Sequence, residues 1–424
     1  MAMSACLLVM PQSIPVASAP STGGGDGAMA ISSGKIVGGD GGVELPLHLT
    51  EEILRCISPL QSARFATVCK SWAATVAARL ARPVPHLFVY TAPSNASDRR
   101  GLIVPVRLDG GDARRLPPAA TPARVRSADT NGMRCVGATP GGRLAFASAF
   151  GRSAVVVNPV TGAAESIEVG MPRWSRRDNA LAVSGTDALF SVDVDGIALW
   201  RRAGDGKAWS KQTVAADRTD DIWSAAYSDG CFYMLHLDGY MSKIDAAAAP
   251  PLRAEELPVA NLFHQLVRAD ADADGGGAIG AGHLLESDGE VLFVAQLVAD
   301  DKQDAAFVFC EHQRGFSSIV GFRVYKLDGD GEGRRWARVA RLGGDRAVFV
   351  SPESSFTVRA SETAGCRSNC IYFVGNSRFC HDCNRSAGTT WGVYSMDDRR
   401  VLFEHAATQP GPCSAALWFL PSVA

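Results

Sequence analysis

The chain has 424 residues, of which 46% are hydrophobic and 20% charged, and its formal net charge is −2. That near-neutral balance argues against nucleic-acid binding as its main task, which needs a basic face. No apolar run approaches the ~18 residues of a membrane span, so no membrane association is expected. The length accommodates a small module plus one large domain. Eleven cysteines are scattered along the chain rather than packed into a short disulfide scaffold. They read as buried thiols in a reducing compartment, the cytoplasm and/or nucleus.

Residues 1–42 are rich in Ala, Gly, Ser and Pro and are punctuated by GGGDG and GGDGG. This composition predicts a disordered tail. Ala5 to Val9 is apolar but short and lacks a basic flank, and the tail has no arginine. Cleavable targeting is therefore not expected.

Residues 43–82 form the next segment. It opens with Leu45-Pro46 and runs through LHLTEEILRCISPLQSARF to Val68-Cys69-Lys70-Ser71-Trp72. Leu49, Ile53, Leu54 and Ile57 fall on a helical stripe, and Leu60, Phe65 and Val68 follow. Thr50 is the expected N-cap, with Glu51 and Glu52 in the first turn, where the helix dipole favours negative charge. Pro59 ends that helix. A second short helix is expected from about Gln61, and a third carries Trp72, Val76 and Leu80. So short a segment cannot bury all its large apolar groups by itself, so some must face another protein. The alternative is a helical hairpin packed onto the downstream domain.

The LP opening, the EIL centre and the VCKSW close occur in the order of the F-box, which this segment resembles. The middle, ISPLQSARF, departs from the resemblance, because many F-boxes carry acidic residues there. The resemblance implies a three-helix module that docks on a Skp1-like adaptor and, through it, on a cullin. The residues expected at the adaptor are Leu45, Pro46, Leu49, Ile53, Leu54, Ile57, Leu60, Val68 and Trp72. Some of these must instead hold the helices together, and the sequence does not divide the two sets.

From residue 85 to 424 the pattern changes to period two. Segments such as LIVPVRL, SAVVVN, FYMLHL and FRVYKL are bounded by NPVTG, SDG, LDGDGEG and MDDRR, which is the signal of strands and hairpins. A turn followed by an aliphatic-aromatic strand recurs, ending at Phe146, Phe190, Tyr233, Phe293 and Phe349. The first three lie about 44 residues apart and the later ones nearer 58, a spacing suited to propeller blades of about four strands. The expected fold is mainly β, with the three-helix F-box followed by a six- or seven-bladed, kelch-like β-propeller. A β-sandwich or a pair of smaller β domains is the alternative. Leu87 to Tyr90 is expected to share a blade with the last strands, near Trp391 to Phe403 or Ala416 to Phe419. The stretch from Phe322 to Phe403, with LGGDRAVFV, SSFTV, GCRSNCIYF and WGVYSMDDRRVLF, resembles the plant F-box-associated domain DUF295, or KIB-type β-propeller. That resemblance implies a plant F-box protein whose propeller recognises a protein substrate, with the substrate and its binding residues unknown.

Other constellations are weaker. Cys366, Cys370, Cys380 and Cys383, with His381, approach a zinc spacing, but the GCRSNCIYF strand accounts for the first pair without metal. No metal and no cofactor are expected. Asp270, Asp272, Asp274 and Gly275 match the front of an EF-hand loop, yet its twelfth position, which needs Glu, is Ala281. Arg173, Arg176 and Arg177 flank Trp174, and Arg334 and Arg335 precede Trp336. These read as solvated turns beside a buried Trp. Sequons at Asn95 and Asn384 matter only in a secreted chain. P-loop, HExxH and GxSxG motifs are absent, so no catalytic residue is expected. The sequence supports a substrate-receptor subunit of an SCF-type (Skp1-cullin-F-box) ubiquitin ligase, not an enzyme. The alternatives are a propeller sensor or enzyme with a vestigial F-box, and an F-box protein outside any ligase.

Overall fold

The computed structural model describes residues 45–421, apart from the stretches 56–61, 92–99, 110–122, 125–132, 169–181, 203–208, 265–276, 300–318, 377–388 and 408–413 and several shorter ones. The tail 1–42 lies outside the described residues, as do Ile57 and Leu60.

Two helices come first, α1 (Leu47–Arg55) and α2 (Lys70–Leu80). The N–H groups of Leu49 and Thr50 donate to the Pro46 carbonyl at 2.9 and 3.1 Å, so the chain enters α1 at Pro46. Thr50 is therefore not the N-cap. It lies inside the helix and is buried, and Glu51 and Glu52 fall beyond the first turn. Proline suits this entry because it has no N–H to leave unpaired and its φ is already set. Between the helices, Ser62 is helical and Phe65–Ala66 form a 3₁₀ turn. The rest of the expected middle helix lies outside the described residues. The expected third helix corresponds to α2.

The strands that follow form six sheets. Blade 1 joins the C-terminal strand Ser414–Phe419 to His86–Thr91, Arg100–Pro105 and Ala123–Arg124. Blade 2 spans 133–168. Blade 3 spans 182–215 and gains Leu252–Arg253 on its outer edge. Blade 4 spans 222–245 and gains Glu255–Glu256. Blade 5 spans 277–339 and blade 6 spans 346–406. The innermost strands touch in sequence, from Met133–Ala138 through Ala182–Ser184, Ile222–Ser228, Gly277–Ser287 and Ser354–Arg359 to Ser414–Phe419, which returns to the first. The result is a closed six-bladed ring.

The core lies between blades, and period-two patterning explains why. The inner strands are covered on both faces, so alternate residues enter alternate clusters. In blade 1, Leu87 and Val89 pack toward blade 6 and Phe88 toward blade 2. In blade 5, Leu292 and Val294 pack toward blade 6, and Val291, Phe293 and Ala295 toward blade 4. The recurring aromatic occupies the second strand from the centre of every blade, as Phe88, Phe146, Phe190, Phe232, Phe293 and Phe349, all buried. In blade 4 the equivalent residue is Phe232. Tyr233, one position on, points to the other face, where it packs on the blade 4–5 cluster. The SDG turns are two-residue hairpins with positive φ at both central residues, Asp229 (47°) and Gly230 (77°), and Asp288 (50°) and Gly289 (81°). That is the type I′ geometry, which an Asp-Gly pair supplies.

Blade 6 departs from the expected four antiparallel strands. Its order from the centre is Ser354–Arg359, Arg346–Ser351, Cys370–Asn376, Thr389–Ser395 and Arg400–Ala406, with the second and third parallel. The hairpin 346–359 folds back toward the centre, so its second strand becomes the innermost one.

Candidate functional site

The helical module exposes apolar side chains that a stable surface would normally cover. Leu54 is 1% exposed and packs with Trp72 and Val76 of α2, with Phe65 and Cys69 against them. The rings of Phe65 and Trp72 stack at 5.2 Å. This small cluster consumes the inward face of α1, which runs through Thr50 and Leu54, one turn apart. Leu49 and Ile53 each lie one residue earlier, rotated by ~100° around the helix axis. They are 42% and 39% exposed, and Leu45 at 39% extends the same i, i+4 line N-terminally. Leu47 at 57% and Val68 at 62% complete the exposed set.

The expected adaptor residues therefore divide. Leu45, Pro46, Leu49, Ile53 and Val68 lie outward. Leu54 and Trp72 are core. Leu47 was missed, because it sits off the stripe formed by Leu49, Ile53, Leu54 and Ile57. Its place directly after the LP opening was the only available signal.

Of the expected zinc set, Cys380, His381 and Cys383 lie outside the described residues. Cys366 is not in the strand. It closes a turn, its N–H donating to the Thr363 carbonyl at 3.0 Å. Cys370 begins the strand and is buried. Burial pushes the Cys366 thiol up to about 12 and also raises Cys370, so both are poor nucleophiles at neutral pH. Among the described residues, no group of three or more His, Cys, Asp or Glu is placed to hold a metal. Asp270, Asp272, Asp274, Gly275 and the Trp174 arginines lie outside the described residues. Ala281 is in a strand, and Trp336 is buried between blades 4 and 5 behind Arg335.

Among the buried histidines of the ring, His86 and His283 have their titration clearly shifted. His86 Nδ1 lies 2.6 Å from the Val84 carbonyl, and its ring tilts onto Phe419 with centroids 6.1 Å apart. His283 Nδ1 lies 3.4 Å from Ser355 Oγ, across the seam of blades 5 and 6. Burial holds both imidazoles down at about 4. They are neutral packing groups of the ring.

Comparison with known proteins agrees with this architecture. The KIB1-4 beta-propeller family model matches residues 113–395, and the F-box domain model matches 43–79. F-box protein At2g26160 of Arabidopsis thaliana is 51% identical over 95 residues, which is 22% of this chain and 25% of that protein. F-box protein At2g17690 of the same plant is 39% identical over 62 residues, 15% of this chain and 14% of that protein. The chain thus matches a quarter or less of each relative's length. Among solved structures, apo AztD from Citrobacter koseri aligns over 80% of this chain and 100% of its own at 10% identity, with a TM-score of 0.33. The N-terminal domain of Nup159 aligns over 76% and 72% at 8% identity, with a TM-score of 0.30. Likenesses that slight say nothing of function. The matched families and the order of their domains identify the chain as a plant F-box protein that belongs to the KIB1-4 beta-propeller family.

Proposed function

We propose that this protein is the substrate-receptor subunit of an SCF-type ubiquitin ligase. The observation that carries the reading is the outward face of the F-box, where Leu45, Leu47, Leu49, Ile53 and Val68 are exposed although the module already has its own core. An amphipathic helix with a second apolar face fits a hydrophobic groove on another protein. The groove belongs to a Skp1-like adaptor, which brings a cullin. The ring then holds a protein substrate, and the protein itself catalyses nothing. It raises the effective concentration of a substrate lysine near a ubiquitin-loaded enzyme. It works where that machinery works, in the cytoplasm and/or nucleus.

Co-expression with a Skp1-like protein and a cullin tests the reading. The intact chain should co-purify both, and a Leu45-Pro46 to Ala-Ala change together with Leu49→Asp should lose both. Capture of the adaptor without the cullin would place the protein outside the ligase. Capture of both by the altered chain would remove the assigned face.

A further inference from the structure

The two long basic residues are used very unevenly in this chain, which has thirty-five arginines and seven lysines. No lysine occurs between residues 71 and 206 or after residue 326. Blades 1, 2 and 6, three consecutive blades of the ring, therefore contain none. Arginine and lysine carry the same charge at neutral pH, but only lysine has an amine that ubiquitin can be joined to.

Pairing geometry does not explain the choice. Arginine is favoured where its planar fork grips a carboxylate through two bonds or stacks on a ring. Arg335 and Arg338, on the outermost strand of blade 5, are exposed, as are Arg399 and Arg400 at the outer hairpin of blade 6. None of the four makes an ion pair among the described residues, so lysine would serve equally for charge and solubility. The described lysines of the ring, by contrast, are engaged. Lys326 Nζ lies 3.1 Å from Glu290 Oε1 and 3.7 Å from Asp328 Oδ1, and these carboxylates hold its ammonium above the ordinary value. Lys243 Nζ lies 3.6 Å from Glu255 Oε2, and Lys211 Nζ stands 5.7 Å over the Trp200 ring. Lys207 and Lys302 lie outside the described residues.

We propose that arginine in place of lysine spares the ring from modification by the ligase that it serves. The inference rests on the ligase reading and adds to it a reason why the receptor outlasts its substrates. In such a ligase a substrate amine attacks the thioester carbonyl of a ubiquitin-loaded enzyme. An isopeptide bond forms, the carbon–sulfur bond breaks, and the amine gives up a proton as the thiol leaves. A guanidinium stays protonated and cannot take the amine's part. The receptor is held near that thioester at high effective concentration, so open amines on its surface would compete with those of the substrate.

The test uses the full chain assembled with a Skp1-like adaptor, a cullin and a ubiquitin-loaded conjugating enzyme, with modified lysines located by mass spectrometry. Discharge of ubiquitin to free lysine in the same mixture reports that the ligase is at work. The variant Arg335→Lys, Arg338→Lys, Arg399→Lys, Arg400→Lys should be modified about threefold or more faster than the parent chain, because open amines now stand near the thioester. The added modification should lie on the substituted positions. Changing the same four residues to Gln should leave the parent rate, which separates the gain of an amine from the loss of arginine. All four side chains are exposed, so the melting temperature should not move. An equal rate in the lysine variant, or modification of the parent chiefly at Lys211, Lys243 or Lys326, would overturn the inference and leave the ligase reading intact. Failure to capture the adaptor and cullin, or to discharge ubiquitin, would overturn the ligase reading and this inference with it.

Discussion

Leu54 is 1% exposed beneath Trp72, while Ile53, one residue earlier, is 39% exposed. Leu54→Ala should destabilise the helical module by about 2–5 kcal/mol, since it opens a cavity in a cluster of few residues. Hydrogen exchange of the α1 and α2 amides would report this as lost protection. Ile53→Ala should leave that protection within about 0.5 kcal/mol. The buried histidines give a second prediction. Both are held from 6.5 down to about 4 in the fold, so the unfolded chain binds the protons first as pH falls. Their stabilisation is full above pH 6.5 and is lost progressively toward pH 4, roughly 3 kcal/mol for each group. Urea titrations across that window should show stability falling with pH, and His86→Gln should flatten the slope. A slope unchanged by that substitution would mean that His86 is not buried neutral. The sequence could not separate Ile53 from Leu54, because neighbouring aliphatics on one stripe differ only in which helix they meet. Thr50 was misread for a related reason. A Thr before two glutamates looks like a cap until the Pro46 carbonyl is seen to receive the first helical N–H groups.

At the scale of elements, the strands were legible and the irregular pairings were not. Asp-Gly turns and β-branched alternation are local signals, so the aromatic strand of each later blade could be placed from sequence. The strap 252–256 and the inserted strand of blade 6 depend on long-range pairing, and short stretches such as Glu255–Glu256 carry no periodicity. Close packing also hides in single residues. A Cβ on Gly282 would meet Phe293 and Trp223 at 2.7 Å, where two neighbouring strands press aromatic rings over the innermost strand of blade 5. Gly282→Ala should cost about 1–3 kcal/mol through overpacking, read as a lower denaturation midpoint with unchanged slope. A neutral substitution would show that the rings can yield.

The whole molecule is held by closure. Ser414–Phe419 pairs with His86–Thr91 in full register, Trp418 opposite Leu87. Trp418 lies against Phe349 at 5.2 Å and Trp391 at 5.9 Å, so the last strand ties blade 1 to blade 6. Deleting residues 405–424 should expose an inner-strand edge and destabilise the whole ring rather than trim one end. Limited proteolysis and thermal melting should show general loss, and an unshifted sharp melt would contradict closure by this strand. Pairing of the two chain ends was expected from the apolar run Ala415 to Leu420. The blade count was expected as six or seven and is six; the sequence left both open because blade spacing varies and the first blade is split between the ends of the domain. The central claim concerns the other end of the molecule, and the affinity of the full chain for a purified Skp1-like adaptor tests it most directly. Ile53→Asp should weaken that affinity by about 100-fold or more, since a charge would be forced into an apolar groove, while α1 and the ring keep their stability. Undiminished affinity in a folded Ile53→Asp protein would contradict the account.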